Sequence, residues 1–156
     1  MFFRGVDGGK DAGVVHNTGL NLEEFQMQTG SSDQIVSTVK SHMDEDQTFR
    51  YAQASGDFMP IHIDDEFARS VGLGGIIIHG LCTMANASWA AIQSLCDSDP
   101  AKLKRMALRF SKPLRPGDDL TTTFYKSENE NQFFFFSKRD SDGEVILTNA
   151  LVEIAK

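Results

Sequence analysis

Asp57 and His62 flank a Met59-Pro60 pair in the stretch Ser55-Gly56-Asp57-Phe58-Met59-Pro60-Ile61-His62. A carboxylate and an imidazole held close together can orient a water molecule and move its protons. Further along, His79-Gly80 opens a long apolar segment. A backbone N–H at a helix start can stabilise negative charge on a carbonyl oxygen, so Gly80 is a candidate oxyanion donor. Taken singly, each group has a plainer role. Asp57 after a glycine suits a turn, and a lone histidine is more often structural than catalytic. His79 reads as a structural residue that orients the turn into the helix. His42 reads as a solvated strand-end histidine with no acidic or cysteine partner at obvious spacing.

The flanking sequence predicts the elements that must position these groups. Asp44, with Gln47 three residues later, suggests a capping box for a short amphipathic helix in TFRYAQAS that pairs Phe49 with Ala52 and ends at Gly56. Pro60 fixes its own φ and pushes Met59 into extended backbone, making DFMPIHI a loop of defined shape. Asp64, Asp65 and Glu66 suit the start of a second short helix, with Gly72 as its stop. After Gly80, residues Leu81, Met84, Ala85, Ser88, Ile92 and Leu95 recur at helical spacing, and no charge falls between residues 80 and 96. This pattern predicts a long helix buried on most of its circumference, with Met84 and Trp89 as core packing.

Ile35–Met43, Leu103–Ser111, Asp119–Glu128, Gln132–Arg139 and Glu144–Ala155 read as strands, the last four separated by turn-forming stretches at 113–118, 128–131 and 140–143. Short connections favour an antiparallel meander. A long helix enclosed by such a curved sheet is an α+β arrangement, the hot-dog fold. Phe133–Phe136 predict a strand buried on both faces, the outer one against a second copy of the chain. Residues 1–34, rich in Gly, Asn and Ser, read as a poorly structured arm, with His16 at its surface. Residues 35–156 form the domain.

At 156 residues the chain suits one domain with its own core. A net charge of −7 argues against a general nucleic-acid or anionic-membrane binder. No apolar run approaches the ~18 residues of a membrane span. The N-terminus lacks the apolar stretch of a signal peptide, and the C-terminus is not a peroxisomal tripeptide, which together favour a cytoplasmic location. Cys82 and Cys96, if on one helix, lie about 21 Å apart, beyond disulfide reach. They read as small buried hydrophobes in a reducing compartment, and no metal site is expected from them. Arg109, Lys112 and Arg115 form a basic run, suited either to a solvated turn or to phosphate contact.

The segment SGDFMPIHIDDEFA resembles the signature of the MaoC-like, R-specific enoyl-CoA hydratases, which runs Ser/Thr-Gly-Asp-x-Asn-Pro-x-His with an alanine six residues after the histidine. IIIHGLCTMANAS is similar to that family's His-Gly helix start, and RFSKPLRPGDDL to its later strand and Arg-Pro-Gly-Asp turn. The resemblance extends from about Ile35 to the end and implies the hot-dog fold. It implies that Asp57 and His62 hold and activate water, that the Gly80 N–H binds a thioester carbonyl, and that Ser88 hydrogen-bonds the catalytic aspartate. Ser88 also lies on the predicted apolar stripe, where a buried hydroxyl needs a partner. Met59 stands where the family has an asparagine. The N-terminal FFRGVDGG is similar to the linker that precedes the catalytic half of double-hot-dog members.

The implied activity is hydration of a 2-enoyl-CoA, reversibly dehydration of a 3-hydroxyacyl-CoA. The substrate is an acyl-CoA or acyl-carrier thioester, CoA being part of the substrate, and no cofactor is expected. The implied partner is a second copy in a homodimer, or a second hot-dog subunit. Acyl-CoA thioester hydrolysis and a non-catalytic acyl-thioester-binding role are the rival readings.

Overall fold

β-branched and aromatic residues build five strands, β1 (Ile35–His42), β2 (Leu103–Phe110), β3 (Asp119–Lys126), β4 (Gln132–Arg139) and β5 (Val145–Ile154). In the computed structural model, which describes residues 34–155, they form one antiparallel sheet of order β1-β3-β4-β5-β2. The arm expected over residues 1–34 and the placement of His16 lie outside the described residues, apart from Gln34. The meander holds for β3, β4 and β5, while β1 and β2 form the two edges. Register sets Phe124 opposite Phe135 and Thr122 opposite Ser137. The two rings meet at 5.4 Å, and the two hydroxyls hydrogen-bond at 2.8 Å inside the core. Burying each such ring contributes roughly 1.5–3 kcal/mol of transfer free energy.

One long helix, α4 (Gly80–Leu95), packs on this sheet with Cys82, Thr83, Ala87, Ala90 and Ala91 buried. Small side chains on that face let the helix sit close to the large residues of the strands. The expected stripe is therefore split: Leu81 is 64% and Trp89 49% exposed, while Leu95 packs against the core and Cys96 is buried. Counting bulky apolar residues at helical spacing missed most of the inward face, because it is built largely of alanines. The helix is covered on one side and is not enclosed. Strand β4 is likewise buried at Phe135 and left 38% exposed at Phe134.

Three short helices lie between β1 and α4 in the chain and pack on one another: α1 (Gln47–Ser55), α2 (Pro60–Ile63) and α3 (Asp65–Ser70). The capping box does not form. Asp46 is the N-cap of α1 without a side-chain bond, and Asp44 and Asp46 pair with Arg50 instead. Phe49 points outward, and Thr48 and Ala52 are the buried residues of α1. Gly56, at φ 74, ends that helix in the left-handed conformation. The stretch expected as a loop of defined shape holds one helical turn, α2, with Pro60 at its first position. His42 has a cross-strand partner that local spacing could not reveal, Asp119 at 2.7 Å. Both cysteines are free and buried. Among the described residues no helix is long and apolar enough to cross a membrane.

Candidate active site

Asp57 leaves α1 through the Gly56 turn and is fixed at three atoms. Its N–H donates to Ser55 Oγ at 3.2 Å, and its Oδ1 accepts from the Met59 N–H at 3.2 Å. Its carbonyl oxygen accepts from His79 Nε2 at 2.9 Å. The side chain remains exposed. A short Asx-type turn thus presents the carboxylate outward on an anchored backbone.

His62 sits on α2 and is buried to 7% exposure. Its Nδ1 donates to the Ile77 carbonyl at 2.8 Å, which fixes the tautomer and leaves Nε2 with its lone pair when the ring is neutral. The Ile77 N–H returns a bond to the Ile61 carbonyl at 3.1 Å, locking the two segments together. Burial holds the imidazole below the ordinary histidine range, against the opposing pull of the Ile77 carbonyl; nearby His79 lowers it further and Asp57 raises it. The neutral ring of a general base is therefore favoured.

His79 lies beneath this pair. Its ring stacks on His62, with centroids 3.8 Å apart and an interplanar angle of 21°. Nitrogen and carboxylate atoms of Asp57, His62 and His79 lie within 4.8 Å of one another. Both His79 nitrogens already face oxygens, Asp57 O and Thr48 Oγ1, so the cluster is a hydrogen-bonded assembly and not an open set of metal ligands. Gly80 follows at once and starts α4. Its N–H falls outside the intrahelical ladder and stands at the positive end of the helix dipole. The Phe110 ring lies against it, 3.4 Å from where a Cβ would be.

The profile of the family described as MaoC like domain matches residues 26–147. The chain belongs to that family. It is 34% identical over 154 residues, 99% of its length and 50% of the other protein's, to a probable enoyl-CoA hydratase 2 of Dictyostelium discoideum. Among solved structures, a MaoC-like dehydratase from Phytophthora capsici shares 31% identity and a TM-score of 0.75 over 81% of this chain and 44% of that one. The full-length peroxisomal multifunctional enzyme type 2 from Drosophila melanogaster shares 31% identity and a TM-score of 0.74 over 81% of this chain and 23% of that one. The chain thus spans half the length of the Dictyostelium relative and less of the other two. These likenesses agree with the hot-dog architecture, an antiparallel five-stranded sheet with a helix packed against it.

In this MaoC-like chain the expected Asp57 and His62 come together with His79, the residue before Gly80, and other expected residues stand apart. Ser88 lies partway along α4, where its hydroxyl donates to the Ala85 carbonyl at 2.7 Å and not to Asp57. Helix geometry explains this, since a serine in a helix readily bonds back to a preceding carbonyl. Met59 supplies its backbone N–H to Asp57, a bond independent of residue type, while its side chain is 45% exposed. Arg115 donates to the Leu73 carbonyl at 2.9 Å and packs against Gly74, which commits it to holding the loop. Arg109 and Lys112 are exposed.

His79 was read as a structural residue orienting the turn into the helix, but its stack on His62 depends on tertiary packing and escaped sequence reasoning. Thr48 escaped it altogether. Its hydroxyl, fully buried, donates to the His62 carbonyl at 2.9 Å.

The lowered His62 predicts a pH effect on stability. The unfolded chain takes up this proton near the ordinary value of about 6.5, before the folded chain does. Stability is therefore predicted to fall as pH drops from about 6.5 through the lowered folded value. Thermal unfolding from pH 7.5 to 5 should show a shallower decline in His62→Gln. An equal slope in both proteins would contradict the assignment.

Proposed function

We propose that this chain hydrates 2-enoyl-CoA thioesters, and in reverse dehydrates 3-hydroxyacyl-CoA, as an R-specific hydro-lyase. The observation that carries the reading is His62. Its Nδ1 is committed to Ile77, so Nε2 is the nitrogen free for a water shared with the anchored Asp57 carboxylate. The relatives' printed names, enoyl-CoA hydratase and MaoC-like dehydratase, support it.

In the proposed reaction the thioester carbonyl oxygen accepts a hydrogen bond from the Gly80 N–H. Water held between Asp57 and His62 gives a proton to the pair as its oxygen bonds to C3. The enolate charge rests on the thioester oxygen until C2 takes a proton from the same pair. Hydroxyl and hydrogen are added across the double bond with no net change of oxidation state, so neither a metal nor a redox cofactor is invoked. Arg109 and Lys112 are the proposed contacts for CoA phosphates, with Arg115 left out because Leu73 already engages it. An acyl-carrier thioester would present the same reacting atoms.

The partner in this reading is a second copy or a second hot-dog subunit, supported by the exposed apolar face of α4. The pair of free buried thiols suits a reducing compartment, and we read the location as cytoplasmic. Imaging of a full-length fusion distinguishes that from a peroxisomal pattern.

Purified chain is expected to consume crotonyl-CoA or a longer enoyl-CoA, and Asp57→Asn or His62→Gln to lower kcat by about 10²–10⁴-fold. Inert wild type across both chain lengths would refute the reading. Thiol release from saturated acyl-CoA would point to a thioesterase, and tight acyl-CoA binding without turnover to a binding module. Sedimentation equilibrium is expected to give twice the 17.3 kDa chain mass, and a monomer that is fully active would refute the homodimer.

A further inference from the structure

His79 has no atom left with which to touch a substrate. One ring face stacks on His62 at 3.8 Å, and Tyr51 lies against the ring at 4.8 Å and 48°. Its Nε2 points at the main-chain oxygen of Asp57, 2.9 Å away, and must carry the proton there because a carbonyl only accepts. Its Nδ1 lies 3.3 Å from Thr48 Oγ1, and that hydroxyl also bonds the His62 carbonyl. A single ring, 2% exposed, therefore touches the Asp57 backbone, the His62 ring and the threonine that holds the His62 backbone. Its own main chain leads directly into Gly80.

We propose that His79 is the positioning residue of the site: with Thr48 it sets the distance and angle between Asp57 and His62, and registers both against the Gly80 N–H. The inference rests on the hydratase reading above. The two proton-transfer groups come from different segments, a turn after α1 and the short α2, with no direct side-chain bond between them in the structure. The Met59 main chain links their backbones, its N–H meeting Asp57 Oδ1 and its carbonyl accepting from the His62 N–H, while the imidazole at 79 touches the His62 ring and the Asp57 carbonyl together. A displacement of about 1 Å in such a pair can cost about 100-fold in rate.

The test separates positioning from simple stabilisation. His79→Phe keeps an aromatic ring and removes the Nε2–H donor. His79→Gln restores an amide donor toward Asp57 without the stack. Thr48→Val keeps the shape of the side chain and removes the hydroxyl.

With enoyl-CoA as substrate, His79→Phe is expected to lose about 100-fold in kcat with KM within about threefold of wild type. His79→Gln should recover at least part of that loss, and Thr48→Val should lose kcat in the same KM-silent way. Rates are normalised to the folded fraction measured by thermal unfolding. If His79→Phe does not fold, Thr48→Val decides by the same criterion. Wild-type kcat in folded His79→Phe, or a loss confined to KM, would overturn the positioning role while leaving the hydratase reading intact. Inert wild type would overturn both.

Discussion

Two histidine rings are buried against each other in this domain, and burying a polar ring without hydrogen-bond partners costs on the order of 1–3 kcal/mol per group. That constraint organises the site end of the molecule. The Ile77 carbonyl must meet His62 Nδ1, the Asp57 carbonyl must meet His79 Nε2, and Thr48 must stand between the remaining groups. Meeting these needs ties together the turn after α1, the α2 turn, the segment at Ile77 and the start of α4. Among the described residues, His62 Nε2 has no such partner. For the proposed hydration, such an arrangement would stand ready before substrate arrives and avoid the reorganisation cost during reaction.

The sheet and helix serve that end. Alanines at positions 87, 90 and 91 bring α4 down onto Phe124 and Phe135, fixing the helix start, and with it the His79-Gly80 junction, relative to the strands. Leu81 and Trp89 are left on the opposite face. An exposed bulky stripe on an otherwise uncharged helix is what a half-assembled core looks like. It is the face on which the proposed partner would pack.

Much of this was legible from residues. All five strands followed from alternation and turn residues, because antiparallel pairing is set by local pattern and short connections. The closeness of Asp57 to His62 was legible because both lie within one ordered stretch. The inward face of α4 was not, since alanine carries little hydrophobic signal and close packing onto a sheet selects for smallness. His42 found Asp119 across a strand pair, a contact 77 residues distant in sequence. Ser88 was drawn toward the site by the family resemblance, whereas its hydroxyl closes on its own helix. Thr48 and the stack of His79 on His62 exist only in the folded chain. Arg115 looked free in a basic run until the Leu73 carbonyl claimed it.

The central claim is that Asp57 and His62 act as one unit on a single water. A double-mutant cycle in kcat measures this most directly, using Asp57→Asn, His62→Gln and the pair together. If the two groups share one water, the double variant should be no slower than the slower single variant, as is found for residues that work as a unit. Losses that multiply across the two positions would mean independent roles and would contradict the account.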